Sequence, residues 1–212
     1  MNMTALPKSF EITLENASTA LKNGQLELAE GILTKLNASS SKNPQILHLM
    51  GLVAMYKSDL KSAKKYLLAA SIIDKKSIAY ALDFGITQIK NGQLKESISK
   101  FSNFVRRNKI PQGTLLEIGI TQLSKRNFEY AILAFEGLKS LSSKNSTIYA
   151  NLGIAYQFLE KFKQAQQCYE KAILLQHSDA DIFSNLALLY LRDGKSSKAI
   201  SLFNKAIKVN PN

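Results

Sequence analysis

Large and small apolar residues return to the same places every 34 residues along this chain, with polar stretches and short turns between them. The period shows most clearly in three turn segments, Lys22 to Leu26, Lys90 to Leu94 and Arg192 to Ser196, whose starts lie 68 and 102 residues apart, two and three times 34. Each places an amide or acid before a glycine (Asn23-Gly24, Asn91-Gly92, Asp193-Gly194), and glycine takes positive φ without a Cβ clash. No alternating strand pattern competes with this spacing. The pattern predicts pairs of amphipathic helices joined at these turns, an all-α repeat architecture.

A 34-residue frame starts at Phe10, Pro44, Ile78, Gln112, Ser146 and Ala180 without an insertion. It divides a domain over 10–212 into units 10–43, 44–77, 78–111, 112–145, 146–179 and 180–212, behind a short lead over 1–9. On the second helix of each unit a small residue (Ala29, Ala63, Ser97, Ala131, Ala165, Ala199) is followed four places later by a large one (Leu33, Leu67, Phe101, Phe135, Tyr169, Phe203). On the first helix a large residue precedes Gly or Ala: Met50-Gly51, Phe84-Gly85, Ile118-Gly119, Leu152-Gly153 and Leu186-Ala187, with Asn16-Ala17 in the first unit. Small residues on both helices permit close approach, and the large residue fills the gap beside them. One hairpin cannot bury its own apolar face, so the units must stack, and an atypical first unit is expected of a terminal repeat. Pro44, Pro111 and Pro211 fall at unit boundaries, where a helix must start or stop.

The fifth unit carries Tyr149, Leu152-Gly153, Tyr156, Ala165, Tyr169 and Ala172, and the sixth Phe183, Leu186-Ala187, Tyr190, Ala199, Phe203, Ala206 and Pro211. This arrangement resembles the tetratricopeptide repeat family. The resemblance is strongest at the C-terminal end and implies a right-handed α-solenoid of six helix-turn-helix repeats.

Composition sets the class. With 45% hydrophobic residues and 4 prolines the chain is globular. Residues 1–9 lack an apolar signal region, and no stretch approaches the roughly 20 apolar residues of a membrane span. The expectation is a soluble cytoplasmic protein, and the Lys-, Asn- and Ser-rich usage points to a bacterial source. The net charge of +12 is concentrated in the second and third units, each +4. Those charges fall mostly in turns and on second helices, and they are mainly lysine without interleaved aromatics. Readers of nucleic acid combine a basic groove with Arg forks and stacking rings. The charge therefore reads as a solubilising face, and nucleic acid is not the expected partner.

No catalytic constellation emerges. His48 and His177 stand almost four units apart along the chain, too far to share a metal or a triad. There is no phosphate-binding glycine loop after a strand and no nucleophile elbow. Cys168 lies beside Tyr169 on a second helix and reads as a buried thiol. The expectation is a non-enzymatic chain without cofactors or metals.

The resemblance implies that partners bind in a concave groove lined by first helices. The positions that map to it are Leu14, Glu15 and Ser18; His48, Leu49 and Leu52; Leu82, Asp83 and Ile86; Leu116, Glu117 and Ile120; Ala150, Asn151 and Ile154; Ser184, Asn185 and Leu188. Apolar anchors on Leu52, Leu82, Ile86, Leu116, Ile120, Ile154 and Leu188 would hold a peptide, His48 could line the groove, and the acids Asp83 and Glu117 would favour a ligand with basic residues. The stripe lacks the Lys, Asn and Arg set that chaperone-binding relatives use to grip a terminal carboxylate. Asn151 and Asn185, one repeat apart, look like the start of the asparagine ladder of O-GlcNAc-transferase-like proteins, where amides hold a peptide backbone. The reading is a scaffold or adaptor binding a protein segment. Two alternatives stand beside it. One is the substrate-recruiting arm of a larger glycosyltransferase- or sulfotransferase-like protein; the other is a self-assembling scaffold whose groove, or whose last helix with Ile200, Phe203 and Ile207, receives a neighbouring copy.

Overall fold

A computed structural model describes residues 8–176 and 178–211. Twelve α-helices and no strand occur among the described residues. They run α1 (Lys8–Lys22), α2 (Leu26–Ser39), α3 (Pro44–Tyr56), α4 (Leu60–Ile73), α5 (Ile78–Lys90) and α6 (Leu94–Arg107). The second half continues α7 (Gln112–Ser124), α8 (Phe128–Lys139), α9 (Ser146–Phe158), α10 (Phe162–Leu174), α11 (Ala180–Arg192) and α12 (Ser196–Val209). From α3 onward, the first helix of each pair begins on a start of the 34-residue frame; α1 begins two residues ahead of Phe10.

Local chemistry explains the boundaries. Asn43, Asp59, Ser77, Asn145 and Asp179 cap α3, α4, α5, α9 and α11, each side chain accepting from an N–H of the first turn. The turn inside each pair needs one residue with left-handed backbone. Gly24, Gly92 and Gly194 supply it at φ +74°, +78° and +72°. Ser58, Arg126 and Glu160 hold the same place in the other pairs with φ 62°, 61° and 55°.

The chain groups into two compact units, Met1–Ser97 and Ile98–Asn212, each a stack of helix pairs of the all-α helical-repeat kind. Within each, helices pack on their neighbours in sequence, and some first helices also touch the next first helix, as α1 does α3, α3 does α5 and α7 does α9. The small residues of the second helices, Ala29, Ala63, Ser97, Ala131, Ala165 and Ala199, are all fully buried. The large residues four places on are buried too, except Phe203, which is half-buried. Their fit against the first helix is close. A Cβ added to Gly119 would lie 2.6 Å from the Phe135 ring, and one on Gly153 would overlap Tyr169. Ser97 occupies an alanine place without penalty because its hydroxyl donates to the Gly85 carbonyl oxygen at 2.8 Å.

Candidate functional site

In the first unit the structure brings two of the expected surface residues together. His48 of α3 donates from Nε2 to Asp83 Oδ2 of α5 at 2.6 Å, both half-buried, and the Tyr80 ring packs 4.5 Å from the imidazole. The Asp83 carboxylate is therefore engaged with a neighbouring helix. Leu82 and Ile86 are only 7% and 2% exposed. They are core residues here, where the sequence pattern places them among the surface anchors. The cause is that α5 buries Leu82, Gly85, Ile86, Thr87 and Gln88, most of its circumference, where the sequence pattern suggested one buried stripe. Leu52 keeps an accessible place. With Ser18, Leu21, Leu26, Leu49 and Tyr56 it lines an open pocket of about 460 Å³ between α1 and α3.

The second unit presents the longer apolar row. Ile120 and Leu188 are 50% and 51% exposed at corresponding positions of α7 and α11; Ile154 on α9 and Leu116 on α7 are half-buried, and Glu117 is exposed. Phe158 and Leu191, one turn further along α9 and α11, are also exposed. Their spacing of three or four residues from Ile154 and Leu188 is a helical signal that extends the row beyond the expected positions.

The two asparagines differ. The Asn185 amide lies near the Tyr169 hydroxyl and opposes the rise that burial imposes on it, while that hydroxyl donates to Gln157 Oε1 at 2.8 Å. Phe135 stands where Tyr169 would be for Asn151, so no hydroxyl reaches that amide. Asn151 is half-buried and has no hydrogen-bond partner among the described residues.

The turn edge of this unit carries stacked groups that the sequence reading passed over. Phe128 and Phe158 stack at 4.6 Å with planes 5° apart, and Arg126 lies 5.1 Å from the Phe158 ring centre. Arg192 lies 3.6 Å over Phe162 in the next pair. Each contact joins the end of one first helix to the start of the preceding second helix. Further into the stack, Tyr156 donates to Glu136 at 3.3 Å and Tyr190 to Glu170 at 2.7 Å. Burial, reinforced by the Glu136 carboxylate, pushes the Tyr156 hydroxyl well above the ordinary phenol range. Burial likewise pushes the Cys168 thiol up to about 12, with Lys139 opposing and Glu136 adding. That thiol stays protonated at neutral pH and packs as a small apolar group.

The helical order, the Gly153 and Tyr169 fit and the tyrosine latches of α9 to α12 all point one way. Residues 145–212 match the tetratricopeptide repeat family. The matched segment runs from the Asn145 cap through α12. Solved structures with a similar chain path include a double mutant of MamA RS-1, 14% identical over 98% of this chain and 97% of that one, with a TM-score of 0.48. MamA residues 41 to the end, from Desulfovibrio magneticus RS-1, align at 15% identity over 79% of this chain and 95% of that one, with a TM-score of 0.45. The APC/C hetero-tetramer Cut9-Hcn1 aligns at 18% identity over 96% of this chain and 40% of that one, with a TM-score of 0.49. No curated protein matches the sequence.

Among the described residues no three His, Cys, Asp or Glu side chains gather as metal ligands, and no helix is long and apolar enough to cross a membrane. His48 is committed to Asp83; His177 lies outside the described residues. Lys57, one of the basic excess, is paired with Glu30 at 2.7 Å and lies 3.8 Å from Glu27, so acids of the first pair neutralise part of the charge of the second. On α12, Ile200 and Ile207 are exposed while Phe203 is half-buried.

Proposed function

We propose that this chain is a non-enzymatic protein-interaction module that receives a segment of another polypeptide on its first helices. The observation that carries the reading is the apolar row of the second unit, with exposed Ile120 and Leu188 and half-buried Ile154 at one repeated position and exposed Phe158 and Leu191 beside them. Anchors of this kind at a spacing of one repeat suit alternate side chains of an extended segment or one face of a helix. Asn151 offers that segment a donor and an acceptor that no other described residue uses. Glu117, exposed on the same face, favours a ligand with basic residues. The tetratricopeptide match over 145–212 supports the same reading, because repeats of that family act by holding other proteins. In the first unit, Leu52 and the pocket it shares with Leu49 and Tyr56 provide a second anchoring place.

The test is affinity capture from the native host with the wild-type chain and with an Ile120→Glu, Leu188→Glu double variant. Both sites are about half exposed, so the variant should keep its helical circular dichroism and its melting temperature. A protein captured by the wild type and lost by the folded variant identifies the ligand of this face. Identical captures from the two would overturn the proposal.

A further inference from the structure

Met50, Val53 and Ala54 lie on the side of α3 away from Leu52, facing the second helices α2 and α4. Ala54 occupies the place that Tyr190 holds on α11, 136 residues on, four lengths of the frame. In the second unit the Tyr190 hydroxyl reaches Glu170 of α10 at 2.7 Å. Two pockets of about 440 Å³ flank that contact, and Glu170 lines both. In the first unit a pocket of about 550 Å³ takes their place. Its lining residues Glu30, Val53 and Lys57 correspond to Gln166, Leu189 and Asp193 of one pocket. Asn37, Met50 and Ala54 correspond to Ile173, Leu186 and Tyr190 of the other. Where the ring is missing, the two halves run together.

The polar groups have changed with the ring. The counterpart of Glu170 is Thr34, whose hydroxyl is spent on the Glu30 carbonyl oxygen at 2.8 Å. In its stead the pocket has Asn37 in the place of Ile173, and Asn37 Oδ1 is buried with no hydrogen-bond partner. A buried acceptor left unmatched is unfavourable, and a ligand donor recovers that cost. The pocket has the size of a small-ligand site: a floor of Leu33, Met50, Val53 and Ala54 under a polar rim of Glu30, Thr34, Asn37, Lys57, Asp59 and Ser62, with Tyr66 in its wall.

We infer that this pocket binds a phenol, with the ring on Met50, Val53 and Ala54 in the place a tyrosine fills in the second unit, and the hydroxyl donating to Asn37. The phenol comes either from a tyrosine side chain of a partner or from a free small molecule. Neither source involves the first-helix face, so this inference stands or falls independently of the function proposed above.

The experiment is an amide-resolved NMR titration of the full chain with p-cresol, with toluene as the ring without a hydroxyl, and with a capped Ala-Tyr-Ala peptide. p-Cresol should shift the resonances of Met50, Ala54 and the Asn37 side-chain amide. Toluene should bind there about tenfold more weakly, the worth of one hydrogen bond. Ala54→Tyr, which restores the latch ring, should abolish the shifts. Should that variant misfold, Asn37→Leu serves in its place and should equalise p-cresol and toluene. Tighter binding of the peptide than of p-cresol would assign the phenol to a protein partner, and the reverse to a small molecule. Absence of shifts at these residues, or shifts that persist in Ala54→Tyr, would overturn the assignment, as would an undiminished preference for p-cresol in Asn37→Leu.

Discussion

Each helix pair turns on one residue in the left-handed region. Gly24, Gly92 and Gly194 occupy it freely, whereas Ser58 and Glu160 hold φ 62° and 55° with a Cβ that costs roughly 1–2 kcal/mol in that conformation. Glu160→Gly should therefore raise stability by about 1 kcal/mol in urea unfolding, the strain relieved less the extra freedom glycine gains in the unfolded chain. Gly194→Ala should lower it by a similar amount. Arg126, at the same place with φ 61°, should gain less as glycine because its guanidinium also lies over Phe158 and Phe128. An unchanged midpoint for Glu160→Gly would mean that the turn relaxes out of the left-handed region. A second residue-scale effect concerns pH. Burial raises the Cys168 thiol from its ordinary value near 9 to about 12, and Tyr156 and Tyr169 are also raised by burial. In all three the folded state favours the protonated form. Their contribution is whole below the unfolded-state values and is lost as pH rises through the folded ones. The melting temperature should fall between about pH 9 and 11, and Cys168→Ala should make that fall shallower. An unaltered slope in the variant would show that the thiol is not protected.

At the scale of helices, the boundaries were legible in the sequence because the residues that make them carry their own signal. Capping Asn, Asp and Ser side chains and turn glycines act locally, so reading them needs no knowledge of the fold. The left-handed backbone at Ser58, Arg126 and Glu160 carried no such signal, and only the period marks it. The small-and-large pairing of Gly153 with Tyr169 was legible for the same periodic reason. The surface was less so. Periodicity gives one helix a buried stripe and an open one, but it cannot say that α5 is covered on both, as Leu82 and Ile86 are. Nor could one asparagine be told from the other, since the frame position that is Tyr169 beside Asn185 is Phe135 in the repeat of Asn151. The pairing itself can be measured. Gly153→Ala drives a methyl into the Tyr169 ring and should cost roughly 1–3 kcal/mol. The first helix pair already holds alanine against leucine at this place, Ala17 beside Leu33, both fully buried. Tyr169→Leu should therefore cost less in the Gly153→Ala background than in the wild type, a coupling of at least about 0.5 kcal/mol in a double-mutant cycle. Additive losses would mean that the two residues do not oppose one another.

For the whole molecule the consequence of this packing is that cooperativity has a limited reach. Within each of the two compact units helices pack on their sequence neighbours, with lighter contacts from some first helices to the next first helix. In such a chain stability approximates a sum of intrinsic repeat terms and nearest-neighbour terms, so damage at one pair spreads to those adjoining it and fades beyond. Hydrogen exchange can map that distance. With Gly153→Ala in α9, amide protection should drop most in α9 and α10, and by a smaller factor in α8 and α11, which pack on them. Protection in α1 through α4, which belong to the other unit, should stay within a factor of about two of the wild type. A uniform loss of protection from α1 to α12 would show instead that the chain opens as one all-or-none unit. The apolar row of the second unit could not then be weakened without unfolding the pocket beside Ala54. A local loss would mean that the two surfaces can be perturbed separately.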